Sequence, residues 1–253
     1  MRGRQGPQPV PQHAEALRMC GRYSLEAEID QWSELGVSYP LEELFRWRAR
    51  YNIAPSQRAP VILNLGQPKI ALASFGFVPP GRAGASGVQR IINARAEGLS
   101  KRPLFREAFR CRRCIVLASG FFEWRREGRR KVPHYIQPSK PALLGFAGLW
   151  QQPSSAQGLF ERGFALITTR SNALVASIHD RMPAILHAGD FERWLCPDPE
   201  HASELAPLLR PYPPDRLQAS EVSALVNSPH NDQPECIAPV APAQTLLFPE
   251  DKG

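Results

Sequence analysis

Met19 and Cys20 stand together in the run Met19-Cys20-Gly21-Arg22-Tyr23, and that junction carries the most specific chemistry in the chain. Removal of the methionine would leave Cys20 with a free α-amine beside its thiol. An amine adds to an aldehyde to give a Schiff base, and the thiol then closes on the imine carbon to form a five-membered thiazolidine. A cysteine kept inside a longer chain has only the thiol. Three histories of the leader Met1 to Arg18 stay open: a start codon assigned upstream of the true one, a leader that is made and cut off, or a permanent tail. Only the last removes the amine. The leader holds Pro7, Pro9 and Pro11 and no core periodicity, and no apolar stretch follows its basic residues, so it reads as disordered and not as a secretory signal.

A nucleophilic amine must first lose its proton, and a carboxylate within hydrogen-bond reach is its expected companion. Glu123, in Gly120-Phe121-Phe122-Glu123-Trp124, sits at a strand end among aromatics, where desolvation would raise its pKa and fit it for proton transfer. Asn93-Ala94-Arg95-Ala96-Glu97 puts an amide, a guanidinium and a carboxylate on one face if the segment is extended. Ile178-His179-Asp180-Arg181-Met182-Pro183 sets an imidazole beside a charged pair. Each is weak alone, since rim carboxylates and structural histidines are commoner than catalytic ones.

Charge is unevenly placed. Between Arg82 and Lys131 stand fourteen Lys or Arg against four Glu, so this window alone exceeds the whole chain's net charge of +7. Phe105, Phe109, Phe121, Phe122 and Trp124 are interleaved with it, the mixture expected where phosphates are neutralised beside stacking platforms. A solvated basic face is the plainer alternative. The five cysteines, with no export signal, read as free thiols in a reducing compartment. Cys111 and Cys114 have zinc-like spacing, but no second pair matches them, and His187 or His201 would have to be recruited by folding; the expectation is no metal and no organic cofactor.

The elements that must hold these groups are mostly short strands. Ala59–Leu65, Ile70–Phe77, Ile115–Ser119, Leu143–Trp150 and Phe164–Thr169 are expected strands, and Arg126-Glu127-Gly128-Arg129 a turn whose return strand is Val132–Ile136. Leu25–Leu35, Ala188–Trp194 and Ser203–Leu209 are helical candidates, Pro80–Gly87 a loop, and Leu217–Val226 the close of the sheet. The class is α+β, one domain over residues 19–240 with a curved, barrel-like β core, followed by a flexible tail over 241–253. No apolar run approaches membrane-spanning length, which points to a soluble, cytoplasmic protein.

Together these stretches resemble the SRAP family, the SOS-response-associated peptidase-like proteins that process abasic sites in single-stranded DNA. The resemblance runs from Cys20 to about Cys236 and also takes in Tyr51-Asn52-Ile53-Ala54-Pro55, Pro103-Leu104-Phe105-Arg106, Arg113-Cys114, Phe146-Ala147-Gly148-Leu149-Trp150 and Val226-Asn227. It implies that Cys20, once N-terminal, links to the ring-opened sugar, that Asn93 helps hold Cys20 and the lesion, that Glu123 moves protons at the α-amine, and that His179 assists ring opening. Arg95 with Arg22, Arg82, Arg90 and Arg106 would bind phosphates, and Trp124 would lie against the DNA path. The implied partner is single-stranded DNA with abasic sites, in company with replication-fork proteins, and the implied state a DNA-associated monomer with accompanying lyase and self-processing peptidase activities. One departure stands out: family members commonly carry Trp shortly after the proline that closes the second long strand, whereas Pro79 to Gly87 holds no aromatic. Two other functions compete, a cysteine-dependent amidohydrolase and a plain single-strand binder.

Overall fold

Runs of β-branched and aromatic residues pair into two sheets in the computed structural model, which describes residues 20–27, 47–79, 89–153, 161–198 and 200–240. In chain order the elements are β1 (Tyr23–Leu25), β2 (Arg50–Ile53), β3 (Arg58–Leu65), β4 (Gln67–Phe75), β5 (Asn93–Arg95), α1 (Pro103–Cys111) and β6 (Arg113–Ala118). There follow β7 (Gly120–Glu127), β8 (Arg130–Pro138), β9 (Leu144–Gln151), β10 (Gly163–Arg170), α2 (Ala173–Ala176), β11 (Arg181–Pro183), β12 (Ile185–Leu186), α3 (Phe191–Leu195) and β13 (Leu217–Glu221). One sheet has the order β13-β8-β7-β1-β2. In the other, β10, β4, β3, β6 and β9 each pair with the next and β9 pairs back onto β10, closing a ring of strands, with β5, β11 and β12 attached to it.

Burial follows the pleat. Tyr23, Phe121 and Ile136 face the ring and join Phe75, Phe146 and Phe164 in the main core, where Tyr23 meets Phe75 edge-on at 5.8 Å. Phe122 and Tyr135, on the opposite face, form a second cluster with Val222, Val226 and Cys236 of the C-terminal segment. The smaller sheet is therefore covered on both sides. A side chain at position 120 is excluded by the Tyr135 ring, which a Cβ there would meet at 2.5 Å. Arg113, fully buried, donates to the carbonyls of Phe109, Arg110, Trp194 and Cys196, so its charge ties the end of α1 to the end of α3 and is not available to a ligand.

The expected strands are present within a few residues of their sequence limits, and the single α+β domain is sheet-dominated. The differences have local causes. Leu25, expected to begin a helix, ends β1, and residues 28–46 lie outside the described residues, as do the expected loop, the leader and the tail. The helix α1 is additional to the expected elements, and Pro103 at its start and Phe105, Ala108 and Phe109 on one face are its signals. The turn expected over Arg126–Arg129 shrinks to Gly128-Arg129, because Gly128 takes φ +59° and lets both strands run on. Ser203–Leu209 folds into the 3-10 stretch Glu200–Leu208, and β13 stops at Glu221 before a 3-10 turn, Ala224–Asn227.

Candidate active site

The strand β7 presents Glu123 on the same side as Phe121, and there the carboxyl is 1% exposed. Antiparallel pairing of Tyr23 with Phe121 brings the residues just ahead of β1 alongside it. The backbone N–H of Cys20 donates to Glu123 Oε1 at 2.7 Å. Cys20 is itself buried and holds φ +45°, a left-handed conformation that costs an L-residue about 1–2 kcal/mol.

Burial raises the Glu123 carboxyl above its ordinary range, against smaller opposing effects of the His179 charge and of hydrogen bonds from Cys20. The Cys20 thiol is raised as well, by burial first and then by the charge and hydrogen bond of Glu123, with Arg181 opposing. The thiol is thus kept as S–H, and the carboxyl is shifted toward the range where it both takes and gives a proton.

His179 reaches this corner through a short capped turn. The Asn172 side chain accepts the Val175 N–H at 2.9 Å and donates to Tyr212 O at 2.7 Å, and the chain leaves α2 with the His179 N–H bonded to Val175 O at 2.8 Å. Its Nδ1 faces the backbone N–H of Arg181 at 3.0 Å and Asp180 Oδ1 at 3.1 Å, so this nitrogen is served by a donor when bare and by an acceptor when protonated. Arg181, 8% exposed, forks onto Glu97 at 2.6 and 3.0 Å and donates to Thr168 O at 2.6 Å. The Arg181 hydrogen bond holds the Glu97 carboxyl below its usual range.

That pairing corrects the expectation of one extended face. The strand β5 ends at Arg95, and Glu97 lies in the 3-10 turn Ala96–Gly98, where it is drawn to Arg181. Asn93 and Arg95 do share a face of β5, half-buried and exposed respectively, with Leu166 and Thr168 of β10 opposite them. Cys20, Glu123 and His179 therefore converge, and β5 joins the His179–Arg181 segment across β10.

The remaining sites differ in how free their charges are. Arg22 donates to Asn52 Oδ1, Val226 O and Asn227 O, fastening the first strand to the C-terminal segment. Arg90 lies 3.6 Å from Glu161, whereas Arg95 and Arg106 are exposed. Trp124 donates its indole N–H to Asn227 Oδ1 at 2.7 Å. Arg82 lies outside the described residues. Cys114 is buried on β6 and Cys111 lies at the end of α1 with its Sγ 3.1 Å from Glu107 O; among the described residues no three His, Cys, Asp or Glu gather as metal ligands.

A profile of the family described as SOS response associated peptidase (SRAP) matches residues 19–229. The chain belongs to the SRAP family. Its SRAP relatives include the abasic site processing protein YoqW of Bacillus subtilis, 38% identical over 87% of this chain and 99% of the relative. The abasic site processing protein HMCES of Xenopus tropicalis is 29% identical over 77% of this chain and 67% of its own. A crystal structure of a Bacteroides thetaiotaomicron protein superposes with a TM-score of 0.77 at 28% identity, covering 88% of this chain and all of that one.

Three residues bonded to or packed beside these groups carry no role in the sequence reading. Arg181 stood in one of the motifs, but its burial beside Cys20 depends on strand packing. Asn227 likewise stood in a motif that does not foretell its bond to Trp124. His134, 6% exposed, lies directly across from Glu123 on β8, a pairing that the longer expected turn would have given to Val132.

Proposed function

We propose that the chain, matured to begin at Cys20, captures the ring-opened aldehyde of an abasic site in single-stranded DNA as a covalent thiazolidine. The observation that carries this reading is the Cys20 nitrogen held 2.7 Å from a buried Glu123 carboxyl that also reaches the thiol. Removal of Met19 turns that N–H into an α-amine at the same place. It also abolishes φ at Cys20, since the torsion needs the preceding carbonyl carbon, and so releases the left-handed strain.

The steps balance through one carboxyl. Glu123 takes a proton from the ammonium, and the amine adds to the aldehyde carbon. An N–H proton moves to the new hydroxyl oxygen, Glu123 returns its own proton to that hydroxyl as it departs, water leaves, and a protonated imine remains. The thiol then adds to the protonated imine carbon, its proton passing to the Glu123 carboxylate, so aldehyde, ammonium and thiol give thiazolidine, water and a protonated carboxyl. His179 donates to the sugar ring oxygen while the anomeric hydroxyl gives up its proton to water, so that the cyclic hemiacetal opens to hydroxyl and aldehyde, and Asn93 positions Cys20 and the sugar. Where the thiol is lost, the imine is left to β-elimination and strand cleavage, the lyase reading.

Relatives named abasic site processing proteins support the substrate. The raised Cys20 thiol weighs against an amidohydrolase, because a cysteine nucleophile for amides works as a thiolate with a depressed pKa. Residues 19–240 form the processing domain in this proposal, with Arg95 and Arg106 on phosphates and Trp124 along the strand. The test is a denaturing gel of protein starting at Cys20 with single-stranded DNA carrying one abasic site. A heat-stable adduct is expected, absent with intact DNA and with the aldehyde reduced to an alcohol. An adduct on the reduced lesion would overturn the chemistry, and N-terminal sequencing of protein from its native source that found only Met1 would overturn the maturation.

A further inference from the structure

The β7–β8 hairpin does not end where its sheet ends. The last backbone bonds from flanking chain reach it at Phe122, from Arg22, and at Pro133, from Val222. Beyond them, among the described residues, Arg125–Glu127 and Arg130–Val132 pair only with each other, a two-stranded arm turned at Gly128-Arg129 into open space. Five of the six charged side chains from Arg125 to Lys131 are positive, and the one acid, Glu127, is taken by Arg125 at 2.6 Å. Protection of an exposed edge relies chiefly on lysine, whereas four of these five cations are arginines.

Register sharpens the point. Arg126 and Lys131 are directly opposite one another, and like charges so placed weaken a ladder. An anion between them removes that repulsion. Both lie on the face of Trp124, two residues farther along the strand, about 7 Å from it. That distance is comparable with the phosphate spacing of an extended single strand. Resting on the proposed function, we propose that this arm binds the DNA backbone just beyond the lesion, with a phosphate seated between Arg126 and Lys131. It lengthens the footprint on the strand that Trp124 guides.

The test is equilibrium binding of the full chain and its Arg126→Gln/Lys131→Gln variant to undamaged oligothymidylates of increasing length over a salt series. The variant is expected to bind long strands about five- to tenfold more weakly at low salt, with a logarithmic salt slope smaller by about 0.7 for each phosphate it no longer neutralises. The deficit should vanish on strands too short to reach the arm, and Arg126→Lys/Lys131→Arg should bind like the parent. Parent-like affinity and slope of the Gln variant at every length would overturn the proposal. Because these strands carry no aldehyde, failure of the Cys20 protein to capture an abasic site in a parallel reaction would sink the proposed function while leaving an arm-dependent slope standing.

Discussion

The two halves of β7 put the same backbone to opposite uses. From Gly120 to Glu123 the strand is buried between paired neighbours, and its one ionisable group is shifted by desolvation. From Arg126 onward it is exposed, and its charges sit in water. A buried carboxyl acts through its pKa and geometry and should be felt in rates. Solvated cations act through counterion release and should be felt in affinity and its salt dependence. Trp124 stands at the boundary, half-buried and tied to Asn227.

The sharpest way to break that division is at the buried end. Cys20→Ser in protein beginning at residue 20 should leave no heat-stable adduct while strand cleavage persists, because the amine can still form the imine. A stable adduct from the Ser protein would show that the thiol is not the trap. Next in size is Glu123→Gln, expected to slow capture about a hundredfold at saturating DNA, within the usual range for one general acid–base group.

The same substitution has a second consequence, in stability. With its carboxyl raised in the folded state, Glu123 holds its proton there in a pH window where the unfolded chain has lost it. Stability from this group is therefore full below the ordinary carboxyl range and is lost as pH rises through the raised folded value. Glutamine has no such loss, so the melting temperature of Glu123→Gln relative to the parent should climb as pH increases from 4 to 8, by about 2–4 °C for each kcal/mol. A constant difference across that range would mean that burial does not govern the group.

How much of this was legible beforehand depended on whether the signal was local. The period-two patterns of β3, β6, β9 and β10 were readable because each strand carries its own alternation or apolar run, whereas the Cys20, Glu123 and His179 motifs, each weak alone, stand out only in combination. The pairing of Glu123 with His134 was not readable, because it hangs on a turn two residues shorter than expected. Nor could charge counting separate Arg113 and Arg181, which are bound to carbonyls and to Glu97 inside the fold, from Arg95 and Arg106, which are exposed. The basic window was real in sequence, but only part of it faces solvent.

Among the exposed cations, Arg95→Ala should cost affinity for damaged and undamaged strands alike, about threefold to tenfold, with a salt slope smaller by about 0.7 for one phosphate contact. Titrations at several salt concentrations read it directly. Should Arg95→Ala stop capture without weakening binding, while Glu123→Gln reacts at the parent rate, the chemical and electrostatic roles belong to the opposite residues.

The smallest effect is expected at the boundary itself. The Oδ1 of Asn227 accepts the Trp124 indole N–H, and the Asn227 carbonyl separately receives Arg22. Asn227→Ala removes only the first of these, a hydrogen bond worth about 1 kcal/mol. The ring should lose its fixed orientation and the strand a prepared surface, so single-strand affinity should fall about two- to fivefold with the salt slope unchanged, because no phosphate contact is touched. Faster solvent exchange of the Trp124 indole proton, followed by NMR, reports the loosening independently of DNA. Asn227→Asp keeps the acceptor and should keep that proton protected. If Asp and Ala variants exchange alike, the bond to Asn227 does not hold the ring, and packing against the cluster of Phe122, Tyr135, Val222, Val226 and Cys236 is left as what places Trp124 between the two halves of the strand.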